Sequence, residues 1–140
     1  MQTQKFQIKP IEDIIRDYSA LKKIYPLKME VIVITRNKYD YSFTPLLELD
    51  FDDITSEYRS TETISINKEH IKKIKEKIPE IKAADTVFVC CDAGLSRSPA
   101  VAKALSHYLH DIQSFNYLAY RYPFANKDVF ETLLIGLKEG

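Results

Sequence analysis

Val87-Phe88-Val89-Cys90-Cys91-Asp92-Ala93-Gly94-Leu95-Ser96-Arg97-Ser98-Pro99-Ala100-Val101 is the stretch on which the reading of the fold turns. Val87 to Cys90 is a short apolar run entered from Asp85-Thr86, which predicts a strand buried on both faces. Ser98-Pro99 predicts the start of a helix running to about His110, because proline's fixed φ suits the first helical turn. Between strand and helix lies a loop that carries Cys91 at one end and Arg97 at the other, with five residues between them.

A loop of that length curls so that successive backbone N–H groups point inward, and the following helix adds its positive end. Phosphate is the natural guest of such a nest. Gly94 supplies the backbone freedom the curl needs, while Ala93 and Ser96 are small enough not to crowd it. Arg97 can take two phosphate oxygens in its planar fork. The same positive surroundings favour the thiolate of Cys91, which makes it a nucleophile. The competing reading is a buried thiol and an unrelated surface arginine.

Working outward, Ile11, Ile14, Ile15, Tyr18, Leu21 and Ile24 recur at helical spacing after Pro10, predicting an amphipathic helix that ends near Pro26. Met29 to Thr35 predicts a buried strand that stops at Arg36-Asn37-Lys38, and Pro45 to Leu49 predicts a second. Asp50 to Asp53 and the polar segment Thr55 to Ser65 read as one long surface loop. Asn67 is a plausible cap for a helix whose apolar face is Ile71, Ile74, Ile78 and Ile81, with lysines over much of the rest. Phe130, Leu133, Leu134 and Leu137 mark a last helix, started by Asn126 or Asp128 after Pro123.

The chain has 140 residues, 45% of them hydrophobic, which is the size of one domain able to bury a core without staples. Twenty basic and twenty acidic residues cancel, so no overall field draws the protein to nucleic acid or to anionic membranes, and any anion site is local. The two cysteines are neighbours, unlike a secreted disulfide framework, which points to a reducing cytoplasm. The amino terminus has no signal-like apolar segment, and no run is long enough to span a bilayer. His70, His107 and His110 are scattered, so no metal is expected.

The segment VCCDAGLSRSPAV resembles the signature loop of protein tyrosine and dual-specificity phosphatases, and FDDI before it resembles small bacterial and phage members. The likeness runs from Met29 to about Leu137. It implies an α/β fold: one domain with a short, mostly parallel sheet flanked by helices, the loop lying at the carboxyl end of a central strand. It implies that Cys91 forms a phosphocysteine, that Asp92, Ala93, Gly94, Leu95, Ser96 and Arg97 bind the phosphate, and that Ser98 donates to the departing sulfur. No cofactor is implied. The family's acid lies on a loop after an earlier strand, which points to Asp50 to Asp53 and, by counting from the strand, to Asp53, with Asp52 the alternative.

Where such loops usually carry histidine before the nucleophile, this chain has Cys90, which reads as an inert buried thiol. Low-molecular-weight phosphatases are set aside because their cysteine lies near the amino terminus. The loop holds Asp92 and no lysine, unlike relatives that cleave inositol phosphates, so the expected substrate is a phosphorylated protein, phosphotyrosine above all, or a small phosphomonoester. A binding module without turnover and a thiol-redox protein are the alternatives.

Overall fold

The computed structural model describes residues 4–25, 28–54 and 63–139. The elements in chain order are β1 (Phe6–Pro10), α1 (Ile11–Ile24), β2 (Met29–Ile34), β3 (Leu47–Leu49), α2 (Lys68–Glu76), α3 (Ile78–Ala83), β4 (Thr86–Cys91), α4 (Arg97–Tyr108), α5 (Ile112–Arg121) and α6 (Lys127–Lys138). The strands form one parallel sheet in the order β1-β4-β2-β3. The fold is α/β, and the readings that fall on residues 1–3, 26–27 and 55–62 lie outside the described residues.

Every residue of β4 is buried, as a strand covered on both faces requires. Its side chains alternate between two cores. Phe88 and Cys90 pack with Ile11 and Ile14 of α1 and with Met29, Val31 and Val33. Val87, Val89 and Cys91 join the larger core on the other face, with Val101, Leu105, Leu118 and Leu133 from α4, α5 and α6.

Several elements differ from the sequence reading. β1 was not expected: Phe-Gln-Ile-Lys-Pro is a five-residue edge strand, too short to announce itself, yet Phe6 is fully buried. The helix after Asn67 is two helices, because Pro79 lacks an N–H and its ring opposes the carbonyl four residues back, so the chain closes at Lys77 and restarts. Ile74 and Ile81 still share the core. β3 is confined to Leu47–Leu49.

Helix α5 was missed because its apolar residues sit on the wrong face. Ile112 and Tyr120 are 70% and 88% exposed, while its buried residues are Ser114 and Leu118. The preceding turn also lacks a glycine, since His110 itself takes the left-handed conformation at φ 59°. Two expected caps are present: Asn67 Oδ1 accepts from Glu69 N, and Asn126 Oδ1 accepts from Val129 N.

Because Phe6 lies in the main core, Phe6→Ala should cost about 3–5 kcal/mol in urea unfolding. A change below about 1 kcal/mol, less than a well-packed site gives up, would make β1 a dispensable edge.

Candidate active site

The loop sits where three parallel strands end together. In register, Cys91 at the end of β4 lies opposite Pro10 of β1 and Ile34 of β2. Gly94 then passes so close to β1 that a Cβ there would stand 2.9 Å from Pro10 N, and its φ is +71°. Both constraints require glycine. The chain re-enters regular structure at Arg97, one residue before the expected start of α4.

Among the described residues, no backbone N–H from Asp92 to Ser96 donates to a protein acceptor. Ser96 occupies the N-cap position of α4, but its side chain does not cap the helix. These donors and the first turn of α4 therefore have no acceptor among the described residues, the arrangement in which helix N-termini and loop amides can receive an anion.

Arg97 is 9% exposed, and its guanidinium is partly committed. Nη1 donates to Phe51 O at 3.0 Å and Nη2 to Asp92 Oδ2 at 2.7 Å, while the buried Nε has no partner among the described residues. The other oxygen of Asp92 accepts from Thr35 Oγ1 (2.8 Å), Asn37 Nδ2 (3.2 Å) and the Tyr39 hydroxyl (2.7 Å). Burial alone would raise the Asp92 carboxyl, but the bonds from Tyr39, Arg97, Thr35 and Asn37 outweigh it and hold it at about 2. The bond to Asp92, with burial second, pushes the Tyr39 hydroxyl up to about 12, so Tyr39 stays a donor.

Cys91 is 2% exposed, and its Sγ lies 3.2 Å from Ser98 Oγ, in hydrogen-bonding range. Cys90 faces the opposite core beside α1. Burial, and then the charge of a neighbouring Cys91 thiolate, push the Cys90 thiol up to about 12. The strand's alternation keeps the two sulfurs on opposite sides of the sheet, which removes the geometric basis for a dithiol pair.

The segment after β3 divides its residues among different partners. Asp50 Oδ1 meets His70 Nε2 at 3.0 Å, and that bond holds the Asp50 carboxyl below its usual range. Phe51 is buried in the core and gives its carbonyl to Arg97. Asp52 Oδ2 accepts from Arg36 Nη1 (3.1 Å) and Ile64 N (2.7 Å), so it braces the loop itself. Asp53 turns to the Cys91–Arg97 loop: its Oδ1 accepts from Ser96 Oγ at 2.8 Å and from Asn126 Nδ2 at 2.9 Å.

The structure thus brings Cys91, Asp92, Ser96, Arg97, Ser98 and Asp53 together and sends Asp52 elsewhere. Sequence reasoning missed Thr35, Asn37 and Tyr39, which lie more than fifty positions from Asp92 and carry no local signal. It read Asn126 only as a cap. A groove of about 580 Å³ runs alongside, lined by Thr35, Asn37, Tyr39, Tyr41, Glu48 and Lys73 among others, and so shares a wall with the Asp92 network. Leu95, 64% exposed, points out of the loop. No described helix is long and apolar enough to cross a membrane.

No protein-family model matches the chain, and no curated protein matches it in sequence. Solved structures do. The crystal structure of DUSP15 superposes with a TM-score of 0.60 at 18% identity, covering 94% of this chain and 81% of that one. Tk-PTP in its active form gives 0.56 at 17% identity, covering 93% and 90%. A mutant form of Tk-PTP, with a glycine replaced by alanine, gives 0.55 at 17%, covering 95% and 90%. The chain has the fold of the dual-specificity phosphatases.

The depressed Asp92 carboxyl ties stability to pH with a definite sign. Its folded value lies below the ordinary 3.8, so its contribution is complete above about pH 4 and is lost as pH falls toward 2. Asp92→Asn should therefore destabilise the protein by about 2 kcal/mol at pH 7, and the gap from wild type should close between about pH 4 and 2. A gap measured by urea unfolding that stays constant through that range would contradict the charge-based account.

Proposed function

We propose that this chain hydrolyses phosphate monoesters through a covalent intermediate on Cys91. What carries the reading is a buried cysteine at the mouth of a loop whose N–H groups from Asp92 to Ser96 have no protein acceptor among the described residues. The buried Nε of Arg97, without a partner among the described residues, adds a fixed positive donor to the same loop. An oriented ring of donors serves a tetrahedral dianion and, better still, the charge that develops on its equatorial oxygens as it transfers.

In the first step the Cys91 thiolate attacks phosphorus, the ester P–O bond breaks, and Asp53 gives its proton to the leaving oxygen. In the second, Asp53 takes a proton from water as the water oxygen attacks phosphorus. The S–P bond then breaks, inorganic phosphate leaves, and the Ser98 hydroxyl supports the sulfur as it regains its charge. Asp53 is assigned over Asp52 because Asp53 meets the loop at Ser96, whereas Asp52 is held by Arg36 and Ile64.

Phosphorylated protein, phosphotyrosine in the first place, is the substrate class we assign. The loop has no lysine to meet a highly charged polyphosphate. The adjoining groove carries both signs of charge and two tyrosines, a lining suited to a peptide chain. The fold shared with DUSP15 and Tk-PTP supports phosphatase chemistry.

Aryl phosphate hydrolysis tests the whole reading. Cys91→Ser should fall to background while still binding vanadate. Arg97→Lys should lose roughly 10²–10³-fold in kcat/KM, since a point charge cannot reproduce the oriented fork. Asp53→Asn should lose about 10²-fold on poor leaving groups and less on good ones. Phosphate binding by a wild-type chain that turns over none of a phosphotyrosine, phosphoserine, nucleotide and inositol phosphate panel would favour a binding module instead.

A further inference from the structure

An arginine grips a phosphate well only when its guanidinium plane is fixed before the anion arrives. Arg97 is held at two points. Nη1 donates to the carbonyl of the buried Phe51, a single bond about which the plane could still turn. The second point is Asp92 Oδ2 at 2.7 Å, and it comes from inside the loop, from the residue next to Cys91. The loop thus braces its own arginine with its own carboxylate.

What holds the brace lies elsewhere. The other oxygen, Asp92 Oδ1, accepts from three side chains of one short segment between β2 and β3: Thr35 Oγ1, Asn37 Nδ2 and, at the shortest distance of 2.7 Å, the Tyr39 hydroxyl. The segment is itself tied down at both ends. Thr35 Oγ1 accepts from Asn37 N at 3.0 Å, and Thr35 N donates to Leu49 O at 3.0 Å. At the far end the Phe43 ring stacks on Tyr18 of α1, with centroids 4.3 Å apart and planes 11° from parallel, and Tyr41 packs on Phe43 at 5.3 Å. Residues 35–43 therefore form a strap from the end of β2 to α1, and Tyr39 is its midpoint, facing the loop.

Three neutral donors on one oxygen and a guanidinium on the other spread a negative charge that would otherwise oppose an incoming anion. Loss of the Tyr39 donor would loosen the carboxylate, free the guanidinium to turn about Nη1 and leave that charge less compensated beside Cys91. If the donors merely satisfied a half-buried carboxylate, their loss would be felt in stability and nowhere else.

We propose that Tyr39 is a positioning residue for the phosphate grip: its hydroxyl sets the Asp92 carboxylate, Asp92 sets the Arg97 guanidinium, and a strap outside the loop thereby governs how tightly the loop holds a phosphoryl group. The proposal rests on the reading of Arg97 under Proposed function.

The experiment compares wild type with Tyr39→Phe, which keeps the ring and removes only the hydroxyl. The readouts are kcat/KM on an aryl phosphate and the inhibition constants of vanadate and inorganic phosphate, all taken well below the unfolding midpoint, with urea unfolding of each variant alongside. The same substitution is repeated in Asp92→Ala and in Arg97→Lys, so that a background that fails to fold leaves the other in hand. Expected for Tyr39→Phe is a loss on the order of 10-fold in kcat/KM, with vanadate and phosphate inhibition weakened by a similar factor. In either background the substitution should add almost nothing, because the route from Tyr39 to the anion is already cut.

Inhibition constants and kcat/KM within about twofold of wild type, with only the unfolding midpoint lowered, would make Tyr39 a structural donor and overturn the proposal. So would a loss that persists undiminished in the Asp92→Ala or Arg97→Lys background. Arg97→Lys alone tells this from failure of the underlying reading. If that variant keeps wild-type turnover and vanadate inhibition, the arginine is not the grip and both readings fall. If it is impaired while Tyr39→Phe is not, the positioning role alone is rejected.

Discussion

The site depends on one constraint of parallel sheets: an interior strand must stop, and the backbone that leaves it must find acceptors or forgo them. β4 stops at Cys91 between Pro10 and Ile34, and the N–H groups of the next five residues find none among the described residues. Bare donors in that position are costly unless something negative satisfies them. The loop is therefore held open by its neighbours. Gly94 lies against Pro10 on one side, Asp92 is gripped by Thr35, Asn37 and Tyr39 on the other, and Ser96 is drawn to Asp53 below.

Charge follows the same plan. The chain as a whole is neutral, so attraction for an anion has to be made locally. Asp92 would seem to oppose it, yet its charge faces Arg97 Nη2 and three neutral donors. The carboxylate orients the guanidinium, whose Nε has no partner among the described residues. The one acidic side chain of the loop is the anchor of that loop's arginine.

The aspartate segment shows how backbone geometry distributes like residues to unlike tasks. Asp50, Asp52 and Asp53 are chemically the same, but Phe51 is buried in the core and fixes the segment, and each aspartate then meets what its direction offers: His70, Arg36 with Ile64, or Ser96 with Asn126. Cys90 and Cys91 are parted in the same way. The pleat sends one to the α1 core and the other toward Ser98, so adjacent thiols have unrelated surroundings.

The sequence by itself determined the strand, loop and helix around Cys91 and Arg97, because that information is local: an apolar run, a five-residue gap, a glycine, a proline in the first turn; the α/β class came with the resemblance that this segment carries. It also marked Asn67 as a cap and narrowed the start of the last helix to Asn126 or Asp128, since a cap is read over four residues. It was silent on β1, whose one buried residue, Phe6, owes its burial to pairing with β4 and to the main core, and on α5, whose exposed Ile112 and Tyr120 mask the face that packs. Only the tertiary structure decided that Asp53 rather than Asp52 meets the loop, that Thr35, Asn37 and Tyr39 hold Asp92, and that Asn126 reaches Asp53. Those contacts join residues tens of positions apart, and their partners are chosen by where the sheet and helices set the chain down, which no local pattern encodes.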